Sequence, residues 1–300
     1  MSRRLAKALG TALAAAMMAL AGPVLAAESF DFDRQGGEKS TAWSVIRRLA
    51  ALSEVSFRMP AKAAVTAVVR KSEAVVLLKD NEPVPEFDIE MATVIEVDPR
   101  LAEIRTVSAK TAVDAGRTTL PKVMASMPAA LAGMNAGFFS LQDGTPIGFF
   151  MEGGKVIRHS GHDSMNRIFT VDSQGRPAVV KGVSVEPEGV VSAVAGKSSW
   201  AESSNSARAA VCVTTGGKVR LVAAYPVSNL GRMTVYLKLR EGCESIVHLD
   251  GGGSTQMAFK ADRLVTGWER KPECQKPSKQ SPPQCFRRVP TFLVVLPKTR

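Results

Sequence analysis

Aromatic residues are scarce in this 300-residue chain: 6% in all, with two tyrosines and three tryptophans. Proteins that hold single-stranded nucleic acid rely on aromatic platforms set among cations. Here the lysines and arginines are scattered rather than gathered into a stripe. Nucleic acid is therefore not an expected partner. Beyond residue 21 no apolar run reaches the roughly 20 residues that span a bilayer. There are three histidines and four cysteines, and none takes the paired spacing of a zinc site. No solenoid-type repeat is present. A nucleoside-triphosphate P-loop is missing too, since Gly253 stands where its lysine belongs. A serine-hydrolase elbow is excluded because Gln256 occupies the place of its second glycine.

The N-terminus carries a clear signal. Arg3, Arg4 and Lys7 precede an Ala-, Leu- and Met-rich run, then Pro23 and the small-residue site Val24-Leu25-Ala26. This pattern predicts a signal peptide over 1–26. The expected mature protein is soluble, and periplasmic or secreted. Removing those residues lowers the 39 basic residues to 36 against 28 acidic ones, a net charge of about +8. Such an excess favours anionic partners: phosphodiesters, acidic glycans or headgroups.

In an exported protein the cysteines are expected to pair. Cys274 and Cys285 bracket a Pro-, Lys- and Ser-rich loop, and a disulfide between them is expected to pinch it off. Its basic flanks, Arg270, Lys271, Arg287 and Arg288, either line a site for an anionic glycan or solvate a protrusion. Cys212 and Cys243 either pair or remain buried thiols.

The mature chain divides into an N-terminal segment, 27–85, expected to pack on a main domain, 86–300. Within the segment, Trp43, Val45, Ile46, Leu49 and Leu52 take helical spacing and predict a helix over 42–55. Residues 63–78 read as one or two strands, and 80–85 as a loop. In the main domain, 87–97 and 101–108 read as strands paired across a turn at Asp98-Pro99-Arg100. A helix follows Thr118-Thr119 with Pro121 in its first turn. Hairpins are expected at Gly153-Gly154 and Gly216-Gly217. A helix over 228–241 stops at Gly242, and 289–296 form a last strand. The expected fold class is mixed α/β of the α+β kind, a largely antiparallel or mixed sheet with packed helices.

Two stretches carry chemistry. The apolar, β-branched run 245–249 ends in Asp250-Gly251-Gly252-Gly253-Ser254-Thr255. Glycines let the backbone approach a ligand closely. Successive N–H groups form an anion cradle, to which Ser254 and Thr255 add hydroxyls. The plainer reading is a tight turn. The second stretch, Met134-Asn135-Ala136-Gly137-Phe138-Phe139, sets an amide beside a bendable backbone. The alternative is a strand with a bulge glycine and core phenylalanines.

Taken together, and in order, several motifs resemble the phosphodiester glycosidase family. They are Asn135 to Phe139 with Pro146-Ile147-Gly148, then Arg208-Ala209-Ala210-Val211, then the Gly216-Gly217-Lys218 hairpin. The helix ending at Gly242 and the Leu249 to Thr255 stretch complete the set. The resemblance covers about 87–297. It implies hydrolysis of a sugar-1-phosphodiester on the glycosidic side, releasing the sugar and leaving a phosphomonoester.

On that reading the catalytic candidates are Asp250, Asn135 and Arg208. Asp250 serves as general acid/base or stabilises an oxocarbenium-like state, and Arg208 offers phosphate a planar fork. Gly137, Phe138, Gly251, Gly252, Gly253, Ser254, Thr255 and His248 are substrate-binding candidates. By strand alternation His248 is expected on the face of Asp250. The family often has Asn at the His248 position, so this residue either alters specificity or is a buried, hydrogen-bonded histidine. Glycosidases commonly use a second carboxylate. Asp143 and Glu152 lie near the first motif but read more readily as turn or solvated strand residues, and the second group stays open. His159, His162 and Asp163 share a polar loop; metal and cofactor use stay open. The partner class is a sugar phosphodiester or anionic glycan in envelope or extracellular polysaccharide. The rival from another class is a non-catalytic glycan- or polyphosphate-binding protein of envelope or exopolysaccharide assembly. A second rival is a phosphate-ester hydrolase that cuts a different bond.

Overall fold

The computed structural model describes residues 28–30, 43–47, 55–58, 65–79, 82–83, 87–159, 162–198, 206–227, 230–259, 264–268 and 284–298. The expected signal peptide lies outside them, as does Cys274 and with it the expected Cys274–Cys285 bridge. Among the described residues no helix is long and apolar enough to cross a membrane.

The chain opens with strands β1 (Glu28–Phe30), β2 (Trp43–Arg47), β3 (Val55–Arg58), β4 (Val65–Lys79) and β5 (Glu82–Pro83). Strands β6 (Phe87–Val97) and β7 (Ala102–Ser108) follow, then helices α1 (Ala109–Val113) and α2 (Leu120–Ser126), then β8 (Ala132–Asn135). Next come β9 (Phe150–Glu152), β10 (Lys155–Arg158), β11 (Arg167–Asp172), β12 (Pro177–Lys181) and β13 (Val190–Gly196). Then β14 (Ser206–Thr214), β15 (Val219–Val227), α3 (Leu230–Glu241) and β16 (Cys243–Leu249). The last strands are β17 (Gln256–Phe259), β18 (Leu264–Trp268), β19 (Gln284–Cys285) and β20 (Thr291–Pro297).

These strands form three sheets. The first runs β1-β2-β4-β6-β15-β14-β16, with β3 and β5 also on β4. The second runs β10-β9-β13-β11-β12 and the third β19-β18-β17-β8-β20-β7. Pairing is antiparallel apart from β18 with β19. The fold class is therefore a sheet-dominated, largely antiparallel α+β architecture with few helices.

Two sequence expectations need correction. Residues 43–47 are a strand on β4, with Trp43 opposite Lys79, and no helix spans 42–55. Trp43, Val45 and Arg47 also fit a two-residue period, and the long β4 supplies a partner, so pairing overrides local spacing. Strands β6 and β7 both form, but they do not pair with each other. Asp98 accepts the Leu101 and Ala102 N–H groups at 3.0 and 2.9 Å, and the chain passes from one sheet to another. There β7 pairs with β20, while β6 lies between β4 and β15. The segment before Phe87 thus contributes strands to the main sheet, β4 pairing from Val65 opposite Val97 to Val75 opposite Phe87.

Strand alternation sorts the core. Val211, Leu221, Val247 and Leu249 from the first sheet meet Met134, Phe169, Val194, Phe259 and Leu293 from the other two. The opposite face of the first sheet packs Ala210, Cys212 and Val222 against Met233, Tyr236 and Leu237 of α3. Gly242, at φ 61°, ends that helix where an L side chain would be strained. Cys212 and Cys243 are joined by a disulfide, which closes a loop of 31 residues around α3. In the chain-entropy picture a loop of that size is worth about 3–4 kcal/mol.

Candidate active site

Strand β16 carries the chain to Asp250 beside the end of β8. The Asp250 N–H donates to the Ala136 carbonyl at 3.2 Å. Asn135 is fully buried and donates from Nδ2 to the Asp250 carbonyl at 2.7 Å. Its Oδ1 accepts the Gln256 N–H at 3.0 Å. The two stretches singled out in the sequence are thus stitched together by one amide. Asn135 works on the protein's own loop, holding both ends of the segment 250–256.

Gln256 was missed as a functional candidate; the sequence showed only that it breaks an elbow motif. It is fully buried. Its Oε1 accepts the Leu120 N–H at 2.7 Å, satisfying a donor at the start of α2 that the Thr119 side chain leaves unmet. Its Nε2 donates to the Arg287 carbonyl at 2.9 Å and the Ser254 carbonyl at 3.3 Å. One side chain therefore ties a helix, the glycine loop and Arg287 into a unit.

At each of the three glycines a side chain would disturb the loop in a different way. A Cβ on Gly251 would stand 2.9 Å from the Ala207 carbonyl oxygen, and one on Gly253 would stand 2.7 Å from Nη2 of Arg287. Gly252 sits at φ 62°. Residues 252–254 form a 3-10 turn in which the Ser254 and Thr255 N–H groups donate to Gly251 and Gly252 carbonyls. The expected cradle is thus partly occupied by its own turn. The hydroxyls of Ser254 and Thr255 are buried without a hydrogen-bond partner.

Asp250 is partly buried, and burial pushes its carboxyl up to about 6. The Ser254 hydroxyl, the Arg287 guanidinium, the Gly251 N–H and Lys197 act against that rise, in decreasing order. Ser254 lies beside the carboxyl, but the geometry is not that of an aligned hydrogen bond. Lys197 Nζ lies 4.7 Å from the centre of the Phe138 ring, a cation–π contact that sets the ring next to this cluster. Arg208 is buried, with Cδ 3.6 Å from where a Gly251 Cβ would be. Arg287 was named in the sequence only as a basic flank that either lines an anionic-glycan site or solvates a protrusion, and Lys197 was not named. They arrive from just after β13 and just before β20.

The structure places other candidates elsewhere. The His248 side chain turns to α3, its Nε2 2.8 Å from Thr234 Oγ1. Thr234 donates its own proton to the Leu230 carbonyl at 2.9 Å, so His248 Nε2 carries the hydrogen. Burial, and secondarily Arg208, lower the His248 pKa to about 3, so the ring is neutral. It borders a separate cavity of about 240 Å³ shared with Lys181, Lys238 and Glu244. Gly137 is close-packed, its missing Cβ 3.1 Å from Val194 and 3.3 Å from the Ala195 carbonyl. Asp143 is exposed in a turn, accepting the Thr145 N–H at 2.9 Å. Glu152 pairs in register with Lys155 in the β9–β10 hairpin. His162 Nδ1 accepts the Ser164 N–H at 3.2 Å. Among the described residues no three His, Cys, Asp or Glu side chains cluster as a metal site.

A second hollow, of about 600 Å³, adjoins the glycine loop through Arg287.

The sequence model of the phosphodiester glycosidase family matches residues 129–296, a span that holds Asn135, Arg208, Asp250, Gln256 and Arg287. The chain belongs to the phosphodiester glycosidase family. Membership points to glycosidase chemistry on phosphodiester-linked sugars, and so to a hydrolase. Among solved structures the chain resembles the zebrafish N-acetylglucosamine-1-phosphodiester alpha-N-acetylglucosaminidase catalytic domain, auto-inhibited by its pro-peptide. The TM-score is 0.59 at 17% identity, covering 82% of this chain and 88% of that one. A hypothetical protein from Synechocystis matches at TM-score 0.53 and 11% identity, over 94% of this chain and 85% of that one. A putative exported protein from Burkholderia pseudomallei gives 0.53 and 11%, over 82% and 97%. At these identities the shared property is the phosphodiester glycosidase fold. No curated protein matches the chain by sequence.

Proposed function

We propose that the protein is an exported hydrolase that cleaves the glycosidic bond of sugar-1-phosphodiesters in envelope or extracellular polysaccharide. The observation that carries this reading is a carboxyl poised near pH 6 between two cations and a glycine turn. A general acid works best when its pKa lies near the working pH. Asp250, protonated, gives its proton to the departing phosphate oxygen as the C1–O bond breaks. Water adds to C1 and gives up one proton, which restores the protonated Asp250, and the products are a free sugar and a phosphomonoester.

The diester's negative charge faces the Gly252 and Gly253 N–H groups, Arg287 and Lys197, with Arg208 behind the loop. Preorganised donors of this kind favour charge gathering on the leaving phosphate. Phe138, held by Lys197, offers the sugar an apolar face. Asn135 and Gln256 position the loop and Arg287. Export rests on the N-terminal pattern of Arg3, Arg4 and Lys7 ahead of an apolar run and a small-residue cleavage site.

The test is sugar release from a panel of sugar-1-phosphodiesters by purified mature protein and by Asp250→Asn, with and without chelator. Turnover that falls about 100- to 10,000-fold in the variant supports the acid role, and the chelator arm reads metal dependence. Binding without turnover by the wild type sinks the hydrolase reading and favours a glycan-binding protein.

A further inference from the structure

Resting on that reading, we propose that the hollow beside the glycine loop is an aglycone subsite for a second anionic group. The preferred substrates are then phosphodiesters whose alcohol portion carries its own phosphate or carboxylate on a short apolar spacer.

The cavity is walled by Arg117, Arg287, Arg288, Phe139, Leu141 and Phe286, with no acidic side chain among its described lining residues. Arg287 belongs to both places. Its guanidinium covers Gly253 and also lines the hollow, so the hollow adjoins the glycine loop. Gln256 fixes the Arg287 backbone at 2.9 Å, which keeps this shared wall in place.

Charge and size argue together. One phosphodiester brings one negative charge, which Arg287 and Lys197 already face at Asp250. Arg117 and Arg288 lie beyond that point. Arg117 is held in place by donating from Nη1 to the Leu141 carbonyl at 2.8 Å. The remaining N–H groups of its fork suit a second oxyanion. About 600 Å³ is several times the space of a single phosphate and falls in the range of small-molecule sites. The apolar part of the wall is unusual for a purely ionic site: Leu141 is 66% exposed and the buried Phe139 also lines the hollow. An aglycone with a carbon spacer covers that surface while its terminal anion reaches the arginines.

The test uses probes without a sugar, so the outcome does not depend on glycosidase activity. Binding of propyl phosphate, 1,3-propanediol bisphosphate and 4-phosphobutyrate to the mature protein is measured by calorimetry at about physiological salt. The second anion is expected to tighten binding at least tenfold over propyl phosphate. In Arg117→Met/Arg288→Met that gain should vanish while propyl phosphate binding is unchanged. The single Arg288→Met variant, at an exposed position, guards against a folding defect and should lose part of the gain. Equal affinity of all probes for the wild type overturns the proposal, as does a gain that survives both substitutions. A gain seen in a protein that releases no sugar leaves the subsite standing and removes only the glycosidase reading.

Discussion

Asn135 and Asp250 lie 115 residues apart in the chain, and the Asn135 side-chain amide donates to the Asp250 backbone carbonyl at 2.7 Å. The same amide accepts from Gln256. Asn135 therefore holds the loop that carries Asp250 at both of its ends.

Asn135→Asp keeps the acceptor for the Gln256 N–H but loses the donor to the Asp250 carbonyl. The expected outcome is a fall in kcat of about 10- to 100-fold with KM little changed. The buried lost bond should also cost about 1–3 kcal/mol in denaturant unfolding. A rise in KM alone, with kcat intact, would mean that Asn135 contacts substrate instead.

The Asp250 carboxyl is neutral in the fold up to about pH 6, against 3.8 for an ordinary, solvated aspartate. A raised acid stabilises the fold below its unfolded pKa and loses that contribution as pH rises through the folded pKa. The span from 3.8 to about 6 corresponds to about 3 kcal/mol. Asp250→Asn should therefore gain stability relative to wild type, by up to about that amount, as pH goes from 4 to 7. Urea unfolding of both proteins at each pH checks it; a constant difference contradicts it. Activity should follow the same group, holding below about pH 6 and falling about tenfold per pH unit above it.

Gly253 and Gly196 separate two kinds of close contact. At Gly253 the obstacle to a Cβ is the far end of the flexible Arg287 side chain, at 2.7 Å. Gly253→Ala should push the guanidinium aside, raising KM for a phosphodiester about tenfold or more while changing stability by under about 1 kcal/mol. At Gly196 the obstacle is the His248 carbonyl oxygen, 2.2 Å from the same position, and backbone cannot swing away. Gly196→Ala should cost about 1–3 kcal/mol or more. Thermal unfolding and KM together distinguish the two.

Arg220 bridges Glu96 at 2.7 Å and the fully buried Glu241 at 2.5 Å, and Tyr236 donates to Glu241 at 2.8 Å. Arg220→Met strands a buried carboxylate at the end of α3 and should cost about 3–5 kcal/mol. Arg220→Met/Glu241→Gln should recover part of it, because the unpaired charge is gone. Denaturant midpoints read both.

The sequence made Asp250, the glycine run and Asn135 legible because each sits in a short stretch whose residue types are unusual together. It also marked the stop of α3 at Gly242 and the β9–β10 and β14–β15 hairpins, where local backbone chemistry decides. What it could not show was register and direction. Lys197 and Gln256 come beside Asp250 through sheet pairing across distant segments, and nothing in their own neighbourhoods signals it; Arg287 stood out only as one of four basic flanks of a loop, with nothing to point it at Asp250. His248 was expected on the Asp250 face by alternation, yet Thr234 of α3 is its partner, since the helix packs over that side of the sheet. Trp43 to Arg47 satisfied both a helical and a strand period, and only the presence of β4 chose between them.

The most direct measurement is hydrolysis of a sugar-1-phosphodiester in ¹⁸O-labelled water, with mass analysis of both products. The account predicts the label in the released sugar, because water adds to C1 and the C1–O bond breaks. Label in the phosphate would mean attack at phosphorus and would contradict it.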